Sequence, residues 1–307
     1  MWKTSAAVLA LLALAACDVP LATSAVPKAR PPQGAPVEIR PTSEKSAALR
    51  SYFGQVQTAQ LNQGLLRTDG GGPDTPYTAD MLARNFEQIV FFNEYASALQ
   101  GRGGESPLRK WRSPVRMKVI TGPGLPPSQA SGDTEAIRSY ARRLASITGH
   151  PISFFGRPNF VVIVASEDDR DMALDMAAAE IPGITAQSLD ALRNLNRDTY
   201  CAVAAYASGA GANTYTAAVA LIRAENPGLL RQSCIHEELA QGLGLANDSR
   251  DARPSIFNDD DEFALLTGHD ELLLRMLYDD RLTPGMTADQ AAPITRIIAR
   301  ELTTGPL

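Results

Sequence analysis

The apolar positions fall into three kinds of pattern along the chain. From residue 6 to residue 16 every side chain is apolar. That run is too short to span a bilayer as a helix, which needs about 20 residues. A short positive start at Lys3 precedes it, and its length and flanks are those of a secretory signal peptide. Helical spacing dominates next. Leu49, Phe53, Val56 and Leu61 recur on one side of residues 46–66. Met81, Leu82, Phe86, Ile89, Val90, Phe92 and Leu99 do the same over 78–100, with Thr78 and Asp80 as capping residues. From Val115 the period changes. Val115, Met117 and Val119 alternate with Arg116 and Lys118, which predicts a half-buried strand. A helix over 133–148 presents Ile137, Tyr140, Ala141, Leu144 and Ile147 on one face. "NFVVIVA", 159–165, is continuously apolar, as a central strand would be. Residues 168–180 and 185–195 read as helical. Strands at 199–207 and 214–224 flank the Gly-rich "SGAGAN". A long helix starts at Pro227, a residue suited to a first turn.

This order predicts an α+β fold: a mixed sheet with one long site helix, preceded by a helical N-terminal segment. The expected divisions are a signal peptide at 1–16, a tether at 17–45, a helical segment at 46–104, an α+β domain at 105–285 and a C-terminal helix at 286–307. The tether carries six prolines and few large apolar residues, so it cannot bury enough surface to offset its ordering entropy. A net charge of −5 argues against a nucleic-acid partner.

Leu14-Ala15-Ala16-Cys17 resembles the lipobox of bacterial lipoproteins. The resemblance implies an acylated Cys17, a membrane partner through that lipid, and an envelope location facing the periplasm. Asp18 does not decide between inner and outer membrane. The other reading is an ordinary signal peptide with an incidental cysteine. Two further cysteines remain, Cys201 and Cys234. In an oxidising compartment they are expected to pair, the alternative being two buried thiols.

Chemistry concentrates in "HEELAQGLGLAND", 236–248. Read from His236, a zinc helix of the His-Glu-x-x-His kind would need His at 240, where Ala stands. Shifted by one, Glu237-Glu238-x-x-Gln241-x-x-Gly244-x-x-Asn247 matches the spacing of the metzincin motif. Glu238 then takes the general-base position, and Gly244 that of the glycine ending the helix. Glu237, Gln241 and Asn247 take the three ligand positions. Downstream, "PSIFNDDDEFALLTGHDELLLRMLY" resembles the segment after the zinc helix of matrixin-like metzincins. Phe257 stands in for the turn methionine, Thr267 and Asp270 open a capping-box-like helix start, and Leu277-Tyr278 end that helix. The whole resembles the bacterial domain-of-unknown-function family 2927, roughly over residues 80–285. That resemblance implies a zincin-like fold without its imidazoles.

One carboxylate and two amides suit zinc poorly; if any metal binds, oxygen-preferring Ca²⁺ fits better. No cofactor is expected. The expectation is a pseudoprotease-like module binding an envelope peptide or wall polymer through Glu237, Gln241, Asn247 and His236. Its competitor is a peptidase-like hydrolase with Glu238 as base, and a third reading makes these residues a polar stripe on a core helix. Adjacent helical residues project about 100° apart, so Glu237 and Glu238 are expected to line one cleft without facing each other. His150 and His269 read as structural. "NDDDE", 258–262, reads as a solvated acidic loop, the alternative being a Ca²⁺ site. "RKWRSPVRMK", 109–118, the one basic patch, reads as an exposed strand edge guarded by charge, the alternative being contact with anionic lipid or cell-wall polymer.

Overall fold

In the computed structural model the described residues are 42–92, 104–208 and 212–304. The signal peptide, Cys17 and the tether up to residue 41 lie outside them, as do the expected helical stretch at 93–100 and the middle of "SGAGAN". The last tether positions, expected to run to 45, instead open a helix capped by Ser43. All described residues belong to one unit, Arg40–Leu307. Among them no helix is long and apolar enough to cross a membrane.

Two helices come first, α1 (Glu44–Asn62) and α2 (Ala79–Val90). Thr78 caps α2, its side chain accepting from the amide of Met81. The strands are β1 (Lys110–Trp111), β2 (Val115–Thr121), β3 (Ile152–Ser153), β4 (Phe160–Ala165), β5 (Cys201–Ala207) and β6 (Thr214–Arg223). Between and after them come α3 (Pro127–Thr148), α4 (Arg170–Glu180), the short α5 (Asp190–Arg193), α6 (Gly228–Leu243), α7 (Gly268–Leu277) and α8 (Ala288–Thr304). The sheet runs β1-β6-β4-β2-β3, and its pairings are parallel. β5 is the exception, joining β6 antiparallel with Cys201 opposite Ile222 and Val203 opposite Ala220. The result is a mixed, mostly parallel sheet covered by helices, with the helical segment before it.

β4 explains its own composition. Phe160, Val162 and Val164 enter the core cluster shared with α2, α3, α6 and α7. Val161, Ile163 and Ala165 enter the cluster under α4 and α5. A strand buried on both faces has no polar side to alternate with.

Four expectations change. Leu61 is 46% exposed, while Gln60 is buried because its amide donates to Asp261 Oδ2 at 2.6 Å. The helix expected at 185–195 reduces to a single 3₁₀ turn, Gln187–Leu189, and α5. The expected exposed edge at 109–118 is interior in part: Arg112 to Pro114 are exposed, but Trp111 is buried and donates to Gly242 O at 2.8 Å. Lys110 is buried too, giving its ammonium to the carbonyls of Leu277 and Asp279 at 2.8 and 3.1 Å, and β2 lies between β3 and β4. Finally, the acidic run 258–262 is solvated only in part: Asp259 and Asp260 are exposed, while Asp261 and Glu262 are drawn inward. Glu262 pairs with Arg67 and Arg253, Asp259 pairs with Arg250, and burial pushes the Asp261 carboxyl up from its usual range.

Candidate functional site

Helix α6 carries the sequence-predicted residues, and its ends are set by local chemistry. Just before it, the Asn226 amide donates to Tyr200 O at 3.0 Å, tying the helix start to the residue before β5. Cys234 is disulfide-bonded to Cys201 at the start of β5, with 5.8 Å between their Cα atoms. Strand and helix are therefore covalently joined, and a thiol reading of either cysteine is excluded. At the far end Gly244 adopts φ +128°, a conformation open to glycine. A Cβ there would also meet Arg109 O at 2.7 Å, so the chain turns where only a hydrogen fits.

The buried side of α6 holds Glu238, 3% exposed, and Gln241, 4% exposed, with Glu237 half-buried beside them. Carboxylate oxygens of Glu237 and Glu238 and the Sγ of Cys201 lie within 4.8 Å of one another. One carboxylate oxygen of each glutamate thus comes to the same place despite the roughly 100° between their Cα directions. Long side chains fold across the angle that the backbone imposes.

Further along, the Gln241 amide donates to Asp248 Oδ1 at 3.3 Å. Asn247 spends its amide on Gln88 O at 3.1 Å and Asp248 O at 2.7 Å, anchoring the post-helix turn to α2. Glu237 and Glu238 thus meet near Cys201, and Gln241 and Asn247 both bond to Asp248. Asp248 is the member that sequence reasoning missed, though its place beside Asn247 marked it.

His236 goes elsewhere. Its Nδ1 accepts from the amide of Leu266 at 3.0 Å, and its ring stacks on Tyr140 with centroids 3.9 Å apart. An occupied Nδ1 acceptor leaves the proton of the neutral ring on Nε2. Burial, with some help from Arg143, pushes the imidazole down to about 3, so it is neutral at physiological pH. His236 forms one wall of a hollow of about 280 Å³ between α3 and α6, with Ser139, Arg143 and Gln232 also lining it.

The turn below the helix is pinned. Asp270 of α7 accepts from Ser255 Oγ at 2.5 Å, from the Ile256 amide at 3.1 Å, and from the Thr267 amide and hydroxyl at 3.0 and 2.8 Å. Thr267 and Asp270 make a reciprocal capping box. Phe257 is fully buried next to this turn. His269 is buried with Nε2 against the Asn85 amide at 3.1 Å, and His150 Nε2 faces Ser113 O at 3.0 Å.

The donor set does not fit catalytic zinc. Cys201 offers a disulfide sulfur, not a thiolate, and the carboxylate pair has no imidazole in its group. What the arrangement can do is accept hydrogen bonds from a chain laid beside β5.

Fold and site together define a mixed α/β protein whose helix-borne carboxylate pair is clamped to the antiparallel strand of its sheet by a disulfide. The chain belongs to the family described as Protein of unknown function (DUF2927), which matches residues 79–297. No curated protein and no solved structure matches it.

Proposed function

We propose that the protein is an envelope lipoprotein, tethered through Cys17, whose body is a degenerate metzincin-like module that binds an extended peptide or wall polymer without zinc. The observation that carries this reading is the position of the glutamate pair at the start of β5. Among the described residues β5 pairs with β6 alone. An edge of that kind takes an added strand through main-chain hydrogen bonds. A peptide added there would pass the Glu237 and Glu238 carboxylates. The glycine-ended helix, the 237–247 spacing and the pinned turn above Asp270 support the metzincin-like scaffold. Leader and lipobox support the tether.

A second reading has its own observation. One carboxylate of the pair is buried and the other half-buried, an asymmetry suited to a general base working beside a second acid. In that reading Glu238 is the base of a hydrolase acting on envelope peptides or wall material.

An array of immobilised peptides separates the two. Binding without cleavage, weakened at least about fivefold by Glu237→Gln, supports the binding module, a change of about 1 kcal/mol or more. Cleavage lost in Glu238→Gln with an unchanged urea midpoint supports the hydrolase. If neither variant changes binding or cleavage, both readings fail.

A further inference from the structure

One end of the sheet carries a feature that the proposed site does not use. Phe155, in the loop after β3, is 84% exposed, the most exposed large apolar side chain among the described residues. Two arginines flank its loop and two more lie on adjoining segments. Arg157 follows it by two residues and is exposed. Arg116 donates through Nε to Arg157 O at 2.7 Å and packs its Cδ against Gly156. Arg138 lies over the ring of Phe154 at 5.5 Å from its centroid. Exposed Arg112 belongs to the β1–β2 link, whose Ser113 carbonyl is held by His150 just ahead of β3.

None of Arg112, Arg116, Arg138 and Arg157 forms an ion pair among the described residues, whereas neighbouring charges do. The nearby acids are committed. Glu180 pairs with Lys118, Glu135 with Arg142, and Asp279 with Arg281; Asp280 faces Lys110. Neither 109–118 nor 149–159 contains an acid. Arg116 and Arg157 therefore stand beside one projecting aromatic side chain without an ion pair among the described residues, with Arg138 and Arg112 on adjoining segments.

We propose that this end of the molecule is a docking surface for an anionic lipid bilayer, with Phe155 entering the headgroup region and the arginines meeting lipid phosphates. Charge complementarity selects an anionic partner. The exposed ring selects a bilayer over a soluble polyanion, because an aromatic side chain gains from the membrane interface and nothing from dissolved phosphate. The surface is independent of the glutamate site and of any acyl chain on Cys17.

The test is vesicle co-sedimentation of the full chain carrying Cys17→Ala, so that no acyl chain contributes. Phosphatidylcholine vesicles are compared with vesicles also containing phosphatidylglycerol. The apolar leader contributes equally to every variant, so the readout is the gain between the two lipids. That gain is expected to be at least about tenfold, and to fall back toward unity in Arg112→Gln/Arg157→Gln and at high salt. Phe155→Ala should lose binding several-fold on the anionic vesicles. Phe155→Trp should show a blue-shifted emission increment on anionic vesicles alone. Equal binding by all variants, or no gain with phosphatidylglycerol, overturns the proposal. So does full competition by soluble polyphosphate combined with an indifferent Phe155→Ala, which would make the patch a polyanion site.

Discussion

His236 shows how far a residue can sit from the role its motif suggests. It stands beside the glutamate pair in sequence and on the other side of the helix in space, wedged against Tyr140 and capped by the Leu266 amide. Its ring is held neutral because burial disfavours the cation. The folded state resists protonation down to about pH 3, while the unfolded chain takes up the proton near the usual histidine value. This contribution to stability is present in full above that value and is lost as pH falls from there, at no more than about 1.4 kcal/mol per pH unit. Urea unfolding of His236→Gln, which keeps an acceptor for Leu266, should show a flatter decline between pH 6.5 and 4 than the parent. Equal slopes would remove His236 from the acid sensitivity. The amides of Gln241 and Asn247 show the same separation of type from role: both are polar residues at ligand spacing, and both are bonded to their own chain.

Among the elements, α6 is held at its beginning, middle and end. Asn226 ties its start to Tyr200, the disulfide ties its middle to β5, and Gly244 lets the chain turn under Arg109. The Cys201–Cys234 bridge closes a segment with a sequence separation of 33. Closing a loop of that size restricts the unfolded chain by about 3–4 kcal/mol. A Cys201→Ala/Cys234→Ala variant should lose stability of that order in urea titrations, and the parent should lose the same amount under reductant. A change below about 1 kcal/mol would mean the helix is positioned by packing alone. At this scale the sequence was readable where one local rule dominates. Thr78 and Thr267 cap their helices as their spacing predicts. The basic stretch at 109–118 is exposed only in part, because Lys110 and Trp111 find partners far along the chain, at Leu277 and Gly242.

In the whole molecule the carboxylate pair belongs to a scaffold closed by α7, whose capping box also holds the Ser255–Ile256 turn. A ligand binding only the folded state at about 100 times its Kd adds about 2.7 kcal/mol. Zinc is expected to add nothing of that kind: the thermal midpoint should be the same in zinc and in chelator, and the purified full chain should hold far less than one zinc per molecule. A zinc-dependent midpoint abolished by Gln241→Ala would instead restore a metal centre.

Sequence alone determined what depends on period and on near neighbours: the all-apolar β4, the capped starts of α2 and α7, the glycine end of α6, and the family. Tertiary structure alone decided which polar residues meet. It folded Glu237 toward Glu238, linked Gln241 to Asn247 through Asp248, turned His236 toward α3, and left Arg116 and Arg157 beside Phe155 without an ion pair among the described residues. The physical reason is that a hydrophobic pattern records which face of an element is buried, while a hydrogen bond or ion pair depends on what a distant segment brings to that face.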